Sequence, residues 1–207
     1  GSALTSDVDL SYRNLGGTAT LHLPVTPSVG TLKTQVRSTK VARSGGMIIQ
    51  DFDFTVTASE ALIYTGSTTF GFFTREALAK QVGLRDTTAP RLPPLAAPMP
   101  YPDKAHLPRQ PWRMIDDVRA FATNGGRAGL GAAHAVKHVD PSEWFFDAHF
   151  YQDPVMPGSL GLESCLLLLT ALAEEVWPRA PGVFFEPLAT AVAHTWTYRG
   201  QVVPTHE

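Results

Sequence analysis

Cys165 is the only cysteine in the 207 residues, so an internal disulfide is excluded. Its thiol lies in an apolar stretch with no evident base beside it, and reads as a small core residue rather than a nucleophile. No run of Lys and Arg is present, and the net charge is −2. That balance argues against a nucleic-acid partner or a polybasic membrane surface. The longest apolar run, Cys165 to Leu169 extended to Ala173, is too short to span a bilayer. No signal peptide is visible, and Gly1-Ser2 reads as a tag remnant. A chain that is 43% hydrophobic and 17% charged has a globular composition, long enough for one large or two small domains. The reading is a cytoplasmic protein with no nucleic-acid or membrane partner.

Alternation and β-branched residues predict a strand in residues 12 to 24, ended by Pro24. Two more follow, over Thr31 to Val41 and Met47 to Thr57, with Ser44-Gly45-Gly46 as the turn between them. A fourth covers Ala61 to Phe73, and a short helix covers Arg75 to Val82, stopped by Gly83. The spacing predicts an antiparallel meander with one polar face. His22, on the first strand, reads as a surface residue. Residues 85–110 then change character. Pro90, Pro93, Pro94, Pro98, Pro100, Pro102 and Pro108 predict an extended linker between a unit at 1–84 and another at 111–207.

In the second unit Gly129 to Val139 reads as a strand carrying His134 and His138. On a strand, side chains four apart share a face but stand too far apart for easy chelation. No Cys or carboxylate completes a set, so no metal is expected. A last strand is predicted over Leu188 to Val203; its His194 reads as structural.

The most informative stretch runs from His149 through Gly158 into Ser159 to about Trp177. Leu160, Leu162, Cys165, Leu166 to Leu169, and Ala171 to Ala173 make a helix apolar all round, which is a buried helix of roughly 27 Å. Pro154 and Pro157 stiffen its approach and Gly158 lets the backbone turn into it. Glu163, placed in the first turn, is the anomaly, since a carboxylate is costly in a core. A charge favoured by the helix dipole is one reading. The capping-box spacing, Glu three after the cap, is not met from Ser159 or Gly158. A catalytic carboxyl is the other reading, and pattern alone leaves both open. Asp153, before a proline, reads as a turn former.

The run HFYQDPVMPGSLGLES (149–164) resembles the active-site segment of the hot-dog β-hydroxyacyl-ACP dehydratases. It is closest to the β-hydroxydecanoyl-ACP dehydratase type and to the tandem dehydratase domains of polyunsaturated fatty acid and polyketide synthases. The resemblance implies an α+β fold, a long antiparallel sheet wrapped round a buried central helix. It implies dehydration of β-hydroxyacyl thioesters on an acyl carrier protein to trans-2-enoyl thioesters, with or without double-bond isomerisation, and no cofactor. It assigns His149 as catalytic base and Glu163 as catalytic acid, where stand-alone bacterial members carry Asp. The Gly158 N–H, at the helix N-terminus, is the candidate oxyanion donor. Phe150, Tyr151, Met156 and Leu160 are candidates for the acyl tunnel, with Trp144, Phe145 and Phe146 read first as core. Arg113, Arg127, Lys137 and Arg199 are candidates for the surface that meets an acidic carrier protein.

By the same resemblance residues 12–73 are similar to the later, sheet-forming half of a hot dog, and 111–207 to the earlier half. Tyr12-Arg13 and Tyr198-Arg199 each read as preceding a strand, as though a second repeat began where the chain stops. The chain therefore reads as a piece of a tandem dehydratase. Its first sheet would cover the second unit's helix in cis or in a swapped dimer, as a homodimer or a pseudo-dimer of hot dogs. The alternatives are a hot-dog acyl thioesterase, which needs the carboxylate but not this histidine setting, and an inactive structural or dimerisation module.

Overall fold

The computed structural model describes residues 6–83, 99–100, 111–177, 186 and 188–204. The chain divides into two units, Gly1–Arg85 with Glu186–Gly200, and Asp86–Phe185 with Gln201–Glu207.

The first unit is built on a five-stranded sheet. Its strands are β1 (Ser11–Leu21), β2 (Leu32–Ser44), β3 (Met47–Ala58), β4 (Ala61–Phe73) and β8 (Ala193–Thr197), in the order β2-β3-β4-β1-β8. Every pairing is antiparallel. The meander β2-β3-β4 is as the sequence predicts. β1 returns to lie beyond β4 rather than beside β2.

Register separates two faces. Arg37 opposes Asp53, and Asp53 opposes Ser67, with an Arg37–Asp53 ion pair of 2.9 Å. Phe52 opposes Thr68, Phe54 opposes Gly66, and Tyr12 opposes Phe72 on the other face. There Tyr12 stacks on Phe70 at 4.7 Å between centroids, and Phe54 meets Tyr64 at 5.3 Å. Each such pair stabilises by ~0.5–1.5 kcal/mol beyond its buried area. The expected polar face is thus the Asp51, Asp53 and Thr55 side, with Thr69 Oγ1 donating to Asp51 at 2.7 Å. After β4, Thr74 caps α1 (Arg75–Ala79), its Oγ1 accepting from the Ala77 N–H at 3.2 Å. The helix is shorter than the predicted Arg75–Val82.

β8 is the departure from the sequence reading, which placed it with residues 111–207. It pairs with β1, Gly16 opposite Thr197 and Ala19 opposite His194. Tyr12-Arg13 therefore lies inside β1 and Tyr198-Arg199 follows β8, its neighbour in the sheet, so the two dipeptides do not each precede a strand as the sequence suggests. The Trp196 indole crosses β1 and donates from Nε1 to Asn14 Oδ1 at 3.0 Å. A Cβ on Gly17 would lie 2.5 Å from both Trp196 Cζ2 and the Ser67 carbonyl oxygen. The Gly16-Gly17 pair, which forms no motif in the sequence, is the groove that admits the indole.

The second unit holds β5 (Met99–Pro100), β6 (Asp117–Ala122) and β7 (Ala132–Val136) in one antiparallel sheet, with α2 (Trp144–Ala148) and α3 (Gly158–Val176). β5 falls within the stretch read as linker: Met99 pairs with Val118. Pro90 to Pro98, Pro102 and Pro108 lie outside the described residues. The core is Met114, Ile115, Phe145, Phe146, Leu160 and Leu167, so Phe145 and Phe146 pack as core residues. β7 is shorter than the predicted Gly129–Val139. His138 falls beyond its end, so His134 and His138 do not share it.

α3 is less buried than its apolar sequence implies. Leu160 and Leu167 are buried, but Leu162 is 43% and Leu169 49% exposed, and the Cys165 thiol is exposed too. These three lie on the side of the helix away from the 160–167 stripe. Cys165 is therefore not the core residue it was read to be.

Gly17→Ala should force the indole off β1 or shift the β1–β4 register. A loss of ~1–3 kcal/mol is expected for overpacking of this kind. It is measured as a lowered midpoint in urea unfolding, together with altered tryptophan fluorescence.

Candidate active site

α2 ends at His149, whose N–H donates to the Phe145 carbonyl at 2.9 Å. The chain then turns through two left-handed residues, Phe150 at φ 60° and Gln152 at φ 54°. For residues with a Cβ this conformation costs ~1–2 kcal/mol each. The turn brings the buried Val155 back to the histidine. His149 Nδ1 lies 2.8 Å from the Val155 carbonyl oxygen, and the Phe150 ring lies 3.9 Å from the imidazole, centroid to centroid.

A carbonyl only accepts, so Nδ1 must carry the proton of this bond. In the neutral imidazole the lone pair then resides on Nε2. The bond also satisfies the carbonyl of a residue 3% exposed, which would otherwise be costly to bury.

The next residues fix the helix start. The Met156 N–H donates to the Val202 carbonyl at 2.9 Å, and the Pro157 carbonyl accepts from Leu160 N–H at 3.0 Å. Pro157 is the N-cap and provides no side-chain cap. The Gly158 and Ser159 amides precede the first intrahelical bond and keep their donors for another acceptor. A helix N-terminus is where a developing oxyanion is stabilised.

Glu163 sits in the second turn of α3, not the first; the first turn holds no acid. It is three residues after buried Leu160 and four before buried Leu167, so it borders the buried stripe. Its carboxyl is half-buried and forms no hydrogen bond with His149. Of the tunnel candidates, Leu160 is buried and Met156 packs on the core, whereas Tyr151 is 89% exposed.

Four polar residues that sequence reasoning did not join lie behind α2. Asp116 accepts from the His138 N–H at 2.6 Å and faces His138 Nδ1 at 3.0 Å. Lys137 lies 3.7 Å from Asp116 and is ion-paired with Glu143, the N-cap residue of α2. The cluster ties the start of β6 and the end of β7 to the helix that ends in His149. Burial alone would raise the Asp116 carboxyl. The hydrogen bonds from His138 and the charges of Lys137 and His138 outweigh it and hold the carboxyl below its ordinary value. Lys137 is thus held internally, and Arg113 donates to the carbonyls of Ile115 and Asp116. Arg127 is exposed, and Arg199 lies in the first unit. No group of three potential metal ligands occurs among the described residues. No described helix is long and apolar enough to cross a membrane.

Residues 107–207 match the family model of the FabA-like domain. A polyunsaturated fatty acid synthase chain of Thraustochytrium sp. is 30% identical over 224 residues, which cover 95% of this chain and 15% of that protein. The chain thus spans about 15% of the length of this curated relative. HtdX from Mycobacterium tuberculosis, a solved structure, is 15% identical with a TM-score of 0.34, over 77% of this chain and 55% of that one. The resemblance read from residues 149–164 is borne out by the family match and by the synthase relative.

Asp116→Asn should lower stability at neutral pH. A depressed carboxyl stabilises above its unfolded value near 3.8 and loses that contribution as pH falls through the lower folded value. The gap between variant and parent should therefore close below about pH 4. Urea midpoints measured from pH 3 to pH 7 check this, and a constant gap across that range would contradict it.

Proposed function

We propose that this chain, whose residues 107–207 match the FabA-like domain, forms part of a dehydratase. It removes water from β-hydroxyacyl thioesters on an acyl carrier protein and leaves trans-2-enoyl thioesters, with or without double-bond isomerisation. The observation that carries the reading is the His149–Val155 hydrogen bond. It leaves Nε2 as the basic atom of a residue that sits in the matched segment.

His149 Nε2 takes the α-proton, and the C–H electrons move toward the thioester carbonyl. The Gly158 N–H meets the growing negative charge on oxygen. The electrons then return to form the Cα–Cβ double bond as the β-hydroxyl departs. Glu163, protonated, gives its proton to that hydroxyl, which leaves as water. His149 ends protonated and Glu163 ionised, so one proton returned between them through solvent resets the pair.

The base and acid of one site are proposed to come from different hot dogs. No hydrogen bond joins His149 and Glu163 here, and α3 keeps Leu162 and Leu169 exposed, as a helix awaiting further cover would. Residues 12–73 are read as a sheet half, with β8 beside them in one sheet, and the segment that ends with α3 as a helix half of neighbouring repeats, the assembly being a homodimer or pseudo-dimer.

The test is dehydration of a β-hydroxyacyl thioester, run on the 207-residue chain and on a longer protein containing it. His149→Ala and Glu163→Gln should each lower turnover by ~10²–10⁴-fold, and Glu163→Asp should keep part of it. Undiminished dehydration in His149→Ala would overturn the reading. Hydrolysis of the thioester without dehydration would favour the thioesterase.

A further inference from the structure

Phe150 occupies a backbone conformation that its side chain does not favour. Its φ of 60° is left-handed, a region that glycine and asparagine enter readily and a bulky aromatic residue rarely does. A rare conformation that persists is held by its surroundings and points to a role. That role is not burial of the turn as a whole, because the next residue, Tyr151, is 89% exposed. What the conformation achieves is visible in the ring. The phenyl group lies against the imidazole of His149, with centroids 3.9 Å apart and planes tilted by 40°. From sequence Phe150 is a tunnel candidate; in the structure its ring packs on the histidine.

The imidazole needs two kinds of restraint. Its Nδ1 bond to the Val155 carbonyl, 2.8 Å long, anchors one atom of the ring. A single hydrogen bond fixes a distance and, more loosely, an angle. It leaves the ring free to tilt about that anchor, and Nε2 sweeps through an arc as it does. The side chain's own torsion narrows this motion only in part, since rotation of an imidazole about Cβ–Cγ is broad. A flat aromatic group on the imidazole face supplies the second restraint. Rotation about Cβ–Cγ would drive the edge of the imidazole into a phenyl ring already in contact with it.

We infer that Phe150 is a positioning residue: its ring fixes the plane of the His149 imidazole, and with it the direction of the Nε2 lone pair. The phenyl ring also covers one face of the imidazole, so a substrate approaches Nε2 along the edge or from the uncovered face. The inference deepens the dehydratase reading and rests on it for the chemistry, whereas the placement of the ring can be measured without it. Leucine would fill the same space without a flat face. Glycine would relax the backbone and leave the imidazole uncovered. The two substitutions therefore separate the ring from the turn.

The first measurement needs no substrate. The 207-residue chain is labelled with nitrogen-15 histidine, and the His149 ring signals are identified by their absence in His149→Gln. The parent should show a protonated Nδ1 and a bare Nε2. In Phe150→Leu and Phe150→Gly the Nδ1 proton should exchange with water at least ~10-fold faster than in the parent, and in Phe150→Tyr, which keeps a flat ring, within ~3-fold of it. The second measurement is dehydration, on this chain or on the longer protein containing it. Phe150→Leu should lower kcat by ~10–10²-fold, as misplacement of a reacting group does, with KM within ~2-fold and the same loss for short and long acyl chains. Phe150→Tyr should restore most of the rate. A tunnel wall would behave differently, with KM rising more as the acyl chain lengthens. Unchanged exchange in Phe150→Leu and Phe150→Gly, each with a native circular dichroism spectrum, overturns the inference. So does a chain-length-dependent KM with kcat intact. If neither protein dehydrates, the dehydratase reading falls and the exchange rates alone decide the placement of the ring.

Discussion

The hydrogen bond between His149 Nδ1 and the Val155 carbonyl does two physically different things. It satisfies a buried acceptor, and it selects the imidazole tautomer. Neither would be met if the turn from 150 to 154 took an ordinary right-handed path. The left-handed Phe150 and Gln152 fold the chain back on itself within six residues. The ~1–2 kcal/mol that each costs is offset by the His149–Val155 bond, by the His149–Phe150 ring contact and by burial of Val155. Glycine at these positions would relax the strain but widen the range of turns available. The strained turn is thus a way of holding the histidine in one place.

That turn is gripped from both ends. Upstream, Phe145 and Phe146 sink α2 into the core, and the Lys137–Glu143 ion pair holds its N-terminus. Downstream, the Met156–Val202 backbone bond and the Pro157 carbonyl set the start of α3. Because α3 starts at Gly158 without a side-chain cap, its leading amides stay unclaimed, and a capping Ser or Asp would have consumed one of them. Poor local capping and open amides at the start of α3 are the same property of this sequence seen from two sides.

Much of this is legible in the sequence. Alternation and β-branched residues locate β1 to β4; in β3 and β4 Phe52, Phe54, Tyr64, Phe70 and Phe72 fall on one face, with Asp51 and Asp53 on the other. The 149–164 run locates the histidine turn and the start of α3. What stays hidden is set by contacts distant in sequence. β8 reads as any short strand, and only the groove at Gly16-Gly17 and the Asn14 acceptor explain why it joins β1. Asp116, Lys137, His138 and Glu143 are scattered in the chain and carry no motif. The turn number of Glu163 depends on where the helix begins, and pattern cannot place a helix start to better than a residue or two.

The apolar circumference of α3 poses the last physical question. Among the described residues of the second unit the Leu160–Leu167 stripe is sealed, whereas the opposite side carries Leu162, Cys165 and Leu169 exposed. A helix that served only this unit's core would gain solubility from polar residues at those positions. Their apolar character is explained if the helix has a second packing surface in its working state. Glu163 stands at the border between the sealed stripe and the open side. Cover added to the open side would therefore lie beside Glu163 as well as on the three apolar side chains.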